Sequence, residues 1–381
     1  NWSMSTGTGK NLFSPGDDPG SNLQFITFLI NFIKAIHDNG DLLRASVATA
    51  GNDHRLGANE APPAIISIFT GSLLEQILKE FKATGLSKAQ AKQKELIDLG
   101  LTKIPVISKD YTDRNRTSPL PFTDNRFEFR SAGSSANCAA PITVLNAIVA
   151  DQLQAFKAEV DKLEAKKPDI EANIITVLQG YMEDVERVVF NGNGYSKEWE
   201  EEAMKRGLSN NKNTPSALLA MVSDKSKALF ERQSVYNPRE LESRYDVLLE
   251  NYINKIGIEA DLFQEMSRTY VLPSAYKSIN RLSNTYNNLE GMGLKDQAKN
   301  LVDQATSTAN LCEKLNKDLL LLKEAIANAN GVAELPNVAK AYAESVYPYF
   351  EKVRASIDLL EGMVDNDDWK LPKYREILFI R

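Results

Sequence analysis

Apolar residues fall in two different rhythms along this chain. From about residue 141 onward they recur at three- and four-residue steps. Leu145, Ile148, Val149, Leu153, Phe156, Val160 and Leu163 form one stripe, and Ile170, Ile174, Val177, Leu178, Tyr181, Val185 and Val188 form a second after a KKPD break. That spacing lays an apolar stripe along an α-helix. Further helices are predicted over 197–206, 215–233, 238–272, 275–289, 295–328 and 338–364, divided at Asn, Gly and Pro signals. No fixed period links them, so the pattern predicts an irregular bundle and not a solenoid. The run Leu319, Leu320, Leu321 and Leu322 is expected in the bundle core or at an interface between subunits.

Before residue 138 the rhythm is short and broken. Brief apolar segments alternate with turns such as SPGDDPG (14–20), EAPPA (60–64) and RTSPLPF (116–122), a loop-rich α+β pattern. One helix is predicted there, over 23–36, ending near Asn39 and Gly40. NWSMST (1–6) reads as the middle of a strand, with Trp2 and Met4 on one face and Ser3 and Ser5 on the other, which leads to the expectation of a fragment of something longer. RFEFR (126–130), after a Thr-Asp-Asn turn, alternates too: Phe127 and Phe129 point one way, Arg126, Glu128 and Arg130 the other. Such a face is either a solvated outer surface or the charged floor of a pocket. The two textures divide the chain into 1–150 and 151–381, giving an α+β fold with a mainly helical C-terminal part.

Composition narrows the function classes. The chain has 381 residues, 43% of them hydrophobic, which supports sizeable cores. A net charge of −6 gives no basic face for nucleic acid. The longest apolar runs, such as FITFLINFI (25–33), fall short of the roughly 18–20 residues of a membrane span. Two cysteines, Cys138 and Cys312, and no basic-then-apolar leader suit a reducing cytosol. The Asn-x-Ser/Thr sequons at Asn1 and Asn115 are read as chance matches.

Several chemistries fail on spacing or supply. STGTGKN (5–11) lacks the first glycine of a phosphate loop, where Met4 stands, and Asn11 follows Lys10, so it is read as a turn. With only His37 and His54, a histidine-rich metal site cannot form within the chain. What stands out is arginine. NDHRLGANEAPPA (52–64) sets Arg55 and Glu60 around a Gly-Ala-Asn turn and stiffens the exit with Pro62 and Pro63, as a flap requires. SKDYTDRNRTSP (108–119) adds Arg114 and Arg116. Guanidinium forks match carboxylates and phosphates, so five arginines with Glu60 and Glu128 point to a substrate carrying several negative groups.

HRLGANEAPPAIIS, DRNRTSP, NRFEFRSAGSSANCAAP and LPKYREILFI, in this order, together resemble glutamine synthetase, and most closely its type III branch. The resemblance covers the whole chain. It implies that residues 1–150 are the C-terminal part of the catalytic α/β barrel and that 151–381 are the helical extension of type III enzymes. It further implies ATP-dependent ligation of ammonia to L-glutamate, giving L-glutamine through a γ-glutamyl phosphate, with Mg2+ or Mn2+. A cytoplasmic homo-oligomer follows by the same resemblance, expected to be a double-ring dodecamer.

The resemblance also carries roles. Arg55 matches the arginine binding the α-carboxylate of glutamate, and Glu60 the flap glutamate that closes the site and takes a proton from ammonium. Arg130 matches the arginine facing the side-chain carboxyl, and Glu128 a metal ligand beside the ATP phosphates. Arg116 and Arg126 match phosphate arginines, and Ser3 a serine near the nucleotide. The remaining metal carboxylates and the metal histidine are expected upstream of Asn1. Pro121 stands where many members carry another phosphate arginine, a charge that Arg114 could replace, and the gap from Arg55 to Glu60 is one residue shorter. A related γ-glutamyl-amine ligase and a catalytically silent helical assembly protein are the competing readings. Product analysis with larger amines separates the first, and the retention of so many charges weighs against the second.

Overall fold

The computed structural model describes residues 1–58, 61–86, the backbone of 96–97 and 107–108, and 115–379. It divides into two compact units, Asn1–Tyr245 and Asp246–Arg381. Their boundary falls inside one long helix, whereas the change of texture in the sequence near residue 150 marks where turns give way to helices.

The first unit is built on α1 (Leu23–Ala45). Its apolar residues, from Phe25 to Leu43, are almost wholly buried. The helix does not stop at Asn39 and Gly40, as the sequence suggests. Asn39 leaves helical geometry (φ −128°, ψ 26°), yet its side chain donates to the Ala35 carbonyl at 3.1 Å. Leu42 and Leu43 beyond it still have core to bury, so the chain kinks and continues. Gly40 packs beside Ile66 at this point, where a Cβ would stand in ordinary contact at 3.4 Å. α2 (Ala50–Arg55) follows, capped by the Thr49 hydroxyl on Asn52 N–H.

β1 (Ile68–Phe69) leads into α3 (Gly71–Thr84). β2 (Leu96–Ile97) and β3 (Ile107–Ser108) form a separate antiparallel pair. β4 (Leu120–Thr123) runs parallel to β1 and antiparallel to β5 (Arg126–Phe127), so the sheet order is β1-β4-β5. The β4–β5 turn is Asp124-Asn125, with Asp124 at φ 54°. On the other edge of β5, Trp2 exchanges both backbone hydrogen bonds with Phe127, at 2.8 and 2.9 Å. The predicted N-terminal alternation holds, with Trp2 and Met4 packed on the core and Ser3 and Ser5 exposed. STGTGKN is a turn, closed by Ser5 opposite Asn11 and by Gly9 at φ 85°.

α4 (Ala139–Glu164) lies along α1. The second predicted stripe splits into α5 (Ile170–Gly180) and α6 (Met182–Val188). α7 (Lys197–Lys205) comes next. The predicted 215–233 helix is α8 (Thr214–Leu218), a 3-10 turn and α9 (Asp224–Arg232). Ser223 interrupts it, extended at ψ 150°, because its hydroxyl caps α9 at Ser226 N–H.

α10 (Pro238–Met266) spans the boundary between the units. It passes through a π-turn (Ser267–Val271) directly into α11 (Leu272–Gly291). The break expected at Pro273 is absent because that proline lies in the first turn of α11, where the wide turn before it leaves no helical bond to lose. α12 (Lys299–Asn330), α13 (Leu335–Ala341) with a second π-turn (Tyr342–Val346), and α14 (Pro348–Met363) complete the second unit. α15 (Tyr374–Ile377) is a single turn. Leu319 and Leu322 are core while Leu320 and Leu321 are exposed, so the leucine run is half core. Among the described residues no helix is long and apolar enough to cross a membrane.

Candidate active site

Four of the charged residues singled out by the sequence meet around the end of β5. Phe127 is fully buried and stacks on Phe32 with ring centroids 3.9 Å apart, which fixes the strand face. Arg126, Glu128 and Arg130 therefore share the opposite face, half-buried. Antiparallel bonding to β4 continues past the regular strand, Glu128 N–H to the Pro121 carbonyl at 3.0 Å and Arg130 N–H to the Pro119 carbonyl at 2.9 Å. Both partners are prolines and return no N–H. The carbonyl of Arg130 is thus left without its ladder donor.

Arg55 takes that acceptor. From the last turn of α2 its Nη2 donates to the Arg130 carbonyl at 3.1 Å and its Nη1 to Asn52 Oδ1 at 3.1 Å. Asn52, almost fully buried, donates through Nδ2 to the Val47 and Ser131 carbonyls at 2.8 Å each. α2 itself is pinned by a buried ion pair, Arg44 Nη2 to Asp53 Oδ1 at 2.8 Å, whose side chains are 1% and 9% exposed. Burial pushes the Asp53 carboxyl above its ordinary value against the pull of Arg44 and of Thr214 N–H.

Arg130 is held on two sides. Its Nη2 and Nε donate to Glu128 Oε2 at 2.8 and 3.2 Å, and its Nη1 to the Asn115 carbonyl at 2.7 Å. These bonds hold the Glu128 carboxyl below the usual carboxylate range; partial burial works the other way, and the charges of Arg130 and Arg126 add to the lowering. Glu128 is accordingly ionised at neutral pH. Its Oε1 accepts from Thr123 Oγ1 at 3.4 Å. Arg126 contacts the Asn125 side chain at 3.5 Å. Arg116 lies exposed on the turn directly after Asn115. Ser3 is exposed, and its hydroxyl donates to the Asn125 carbonyl at 2.9 Å, in the turn that carries Arg126.

Glu60 and Arg114 lie outside the described residues. The flanks of the Glu60 loop are tied: Gly57 N–H donates to the Pro62 carbonyl at 2.9 Å, Ala61 N–H to the Ala58 carbonyl at 2.9 Å, and residues 61–64 are buried. Sequence reasoning missed Asn52, Asn115 and the Arg44–Asp53 pair. Asn52 and Asn115 sit inside quoted motifs, three residues before Arg55 and one before Arg116, which was the available signal. It also missed a cluster of His37, Asp38 and Asp184. Lys34 stands between its two carboxylates, 2.5 Å from Asp38 and 3.3 Å from Asp184, and supplies the cation there.

Residues 173–290 match the family described as glutamine synthetase C-terminal domain. The whole chain is 42% identical to a glutamine synthetase of Bacteroides fragilis (strain YCH46), covering 53% of that protein. It is 39% identical to a type-3 glutamine synthetase of Dictyostelium discoideum, covering 52%, and 37% identical to a glutamine synthetase of Butyrivibrio fibrisolvens, covering 53%. The chain spans about half the length of the curated relatives it matches.

Proposed function

We propose that this chain, similar to glutamine synthetases from end to end and carrying their C-terminal domain, serves the ATP-dependent ligation of ammonia to L-glutamate. The observation that carries the reading is the convergence of Arg126 and Arg130 on one ionised carboxylate, Glu128, with Arg55 bonded to the Arg130 carbonyl. Two guanidinium groups about one acid, with Arg55 bonded to the same stretch of backbone, have cationic capacity to spare, and a substrate bearing carboxylates and phosphates uses it.

In this reading Arg55 meets the α-carboxylate of glutamate and Arg130 its side-chain carboxyl. Arg116 and Arg126 meet the phosphates of ATP, with Ser3 near the nucleotide. The γ-phosphoryl group passes to a side-chain carboxylate oxygen, releasing ADP and giving γ-glutamyl phosphate. The arginines spread the charge of the group in transfer. Ammonia then attacks the acyl carbon, the bond from that carbon to the phosphate oxygen breaks, and phosphate leaves with the oxygen. Glu60, as the flap residue, takes the proton from ammonium.

The residues present fit a divalent ion in one respect. Glu128 is ionised and its Oε1 accepts a long 3.4 Å hydrogen bond from Thr123, so it would serve as one ligand of Mg2+ or Mn2+. When bound, such an ion supplies charge neutralisation at the transferring phosphoryl group. The three-stranded sheet would be part of the barrel of such enzymes, residues 1–150 the C-terminal part of the catalytic domain, and 151–381 the helical domain of the type III branch. A cytoplasmic homo-oligomer, in the form of a double-ring dodecamer, completes the proposal.

Product analysis on the complete protein carrying this sequence tests it. Incubation with glutamate, ATP, Mg2+ and ammonium should yield glutamine, and replacing ammonium by alkylamines should yield little γ-glutamyl-amide. Preferential use of the larger amine would move the protein to the γ-glutamyl-amine ligases.

A further inference from the structure

The turn that carries Arg116 is fastened from outside the quoted motifs, by the segment that follows α6. Val189 pairs with Ile68 as a parallel bridge, and Phe190 N–H donates to the Ile68 carbonyl at 2.8 Å. Asn191 then caps the start of α3, its Oδ1 accepting from Thr70 and Gly71 N–H at 3.0 and 3.1 Å. So anchored, the segment offers two groups to the turn. The Gly192 carbonyl accepts from Asn115 Nδ2 at 2.7 Å, and Gly194 N–H donates to Thr117 Oγ1 at 2.8 Å. Thr117 in turn donates to Asn115 Oδ1 from Oγ1 and from its backbone N–H, at 2.6 and 2.9 Å. The last link is the Asn115 carbonyl, which accepts from Arg130 Nη1 at 2.7 Å.

We propose that Asn115, Thr117 and Gly194 are positioning residues for Arg130, linked as Gly194–Thr117–Asn115–Arg130. The inference rests on the reading that Arg130 faces the side-chain carboxyl of glutamate. Position 194 requires glycine, because a Cβ there would lie 2.8 Å from the Thr117 carbonyl oxygen and 3.1 Å from Oγ1. The approach that delivers the Gly194 N–H is too close for any side chain. Glu128 alone leaves the guanidinium free to swing about the shared Oε2, whereas the Asn115 carbonyl on the opposite nitrogen fixes its plane. A guanidinium in the wrong plane presents one donor to a carboxylate instead of two.

The test uses the complete protein carrying this sequence, with glutamine synthesis measured against glutamate and against ATP, and thermal unfolding alongside. Thr117→Val removes the hydroxyl link at nearly constant shape; Thr117→Ser keeps it. Thr117→Val should raise the glutamate KM roughly tenfold, and more than the ATP KM, with Thr117→Ser near the parent. Gly194→Ala should act as Thr117→Val does, and if it fails to fold, Thr117→Val carries the test. A glutamate KM unchanged in Thr117→Val overturns the inference, as does activity lost only in proportion to unfolded protein. A parent that makes no glutamine defeats the underlying reading as well, and is told apart because the parent itself then fails.

Discussion

Arg55 reaches Arg130 through the backbone: its Nη2 donates to the Arg130 carbonyl at 3.1 Å, an acceptor left open because the opposing residue, Pro119, has no N–H. Arg55 and Arg130 are thus joined side chain to backbone, and the proline that opens the ladder provides the acceptor. Each keeps donors for a ligand, and each depends on the planar fork of arginine.

Arg130→Lys is therefore expected to be poorly tolerated. An ammonium cannot serve Glu128 Oε2, the Asn115 carbonyl and a substrate carboxylate from one fixed plane. In the complete protein the glutamate KM should rise roughly tenfold or more while the fold persists. A near-normal glutamate KM would remove Arg130 from the carboxylate site.

The titration of Glu128 carries a signed prediction. Its carboxyl is held low by the Arg130 bonds, so the ion pair contributes fully above the ordinary carboxylate pKa and is lost as pH falls through the lower, folded value. In Arg130→Met the Glu128 carboxyl should titrate closer to the ordinary value, read as the pH dependence of its side-chain carbon shift by NMR. A midpoint identical in the two proteins would mean that Arg130 is not the cause.

Asp53 offers a stability test away from the charged face. Asp53→Ala leaves the Arg44 guanidinium buried without its carboxylate and Thr214 N–H without its acceptor. The expected cost is about 3–5 kcal/mol, measured by urea unfolding, since breaking one side of a buried pair strands the other charge. A loss under about 1 kcal/mol would show that water reaches Arg44 once Asp53 is gone.

How much of this was legible depended on the range of the interaction. RFEFR declared its two faces because strand alternation is local, and Phe127 on Phe32 merely confirms which face is the core. The long amphipathic helices were readable for the same reason. Helix ends were less so: Asn39 and Gly40 look like a stop, but Leu42 and Leu43 had burial to gain beyond them. Pro273 looks like a break, but a π-turn ahead of it removes the lost bond. The partners of the charges were the least legible. That Arg55 would hold a carbonyl of β5's continuation, or that Gly194 would fasten the Arg116 turn, depends on contacts between residues far apart in the chain. Lys34 and Asp38 are one helical turn apart, but the third member, Asp184, is hidden for the same reason.

In the proposed function the charged face helps to activate a carboxylate by phosphorylation, and the fate of oxygen tests that step most directly. Glutamate labelled with 18O in its side-chain carboxyl is supplied to the complete protein with ATP, Mg2+ and ammonium, and the released phosphate is analysed by mass. One labelled oxygen should appear in phosphate for each glutamine formed, because the acyl–oxygen bond breaks when ammonia displaces phosphate. Glutamine formed with unlabelled phosphate would contradict the account.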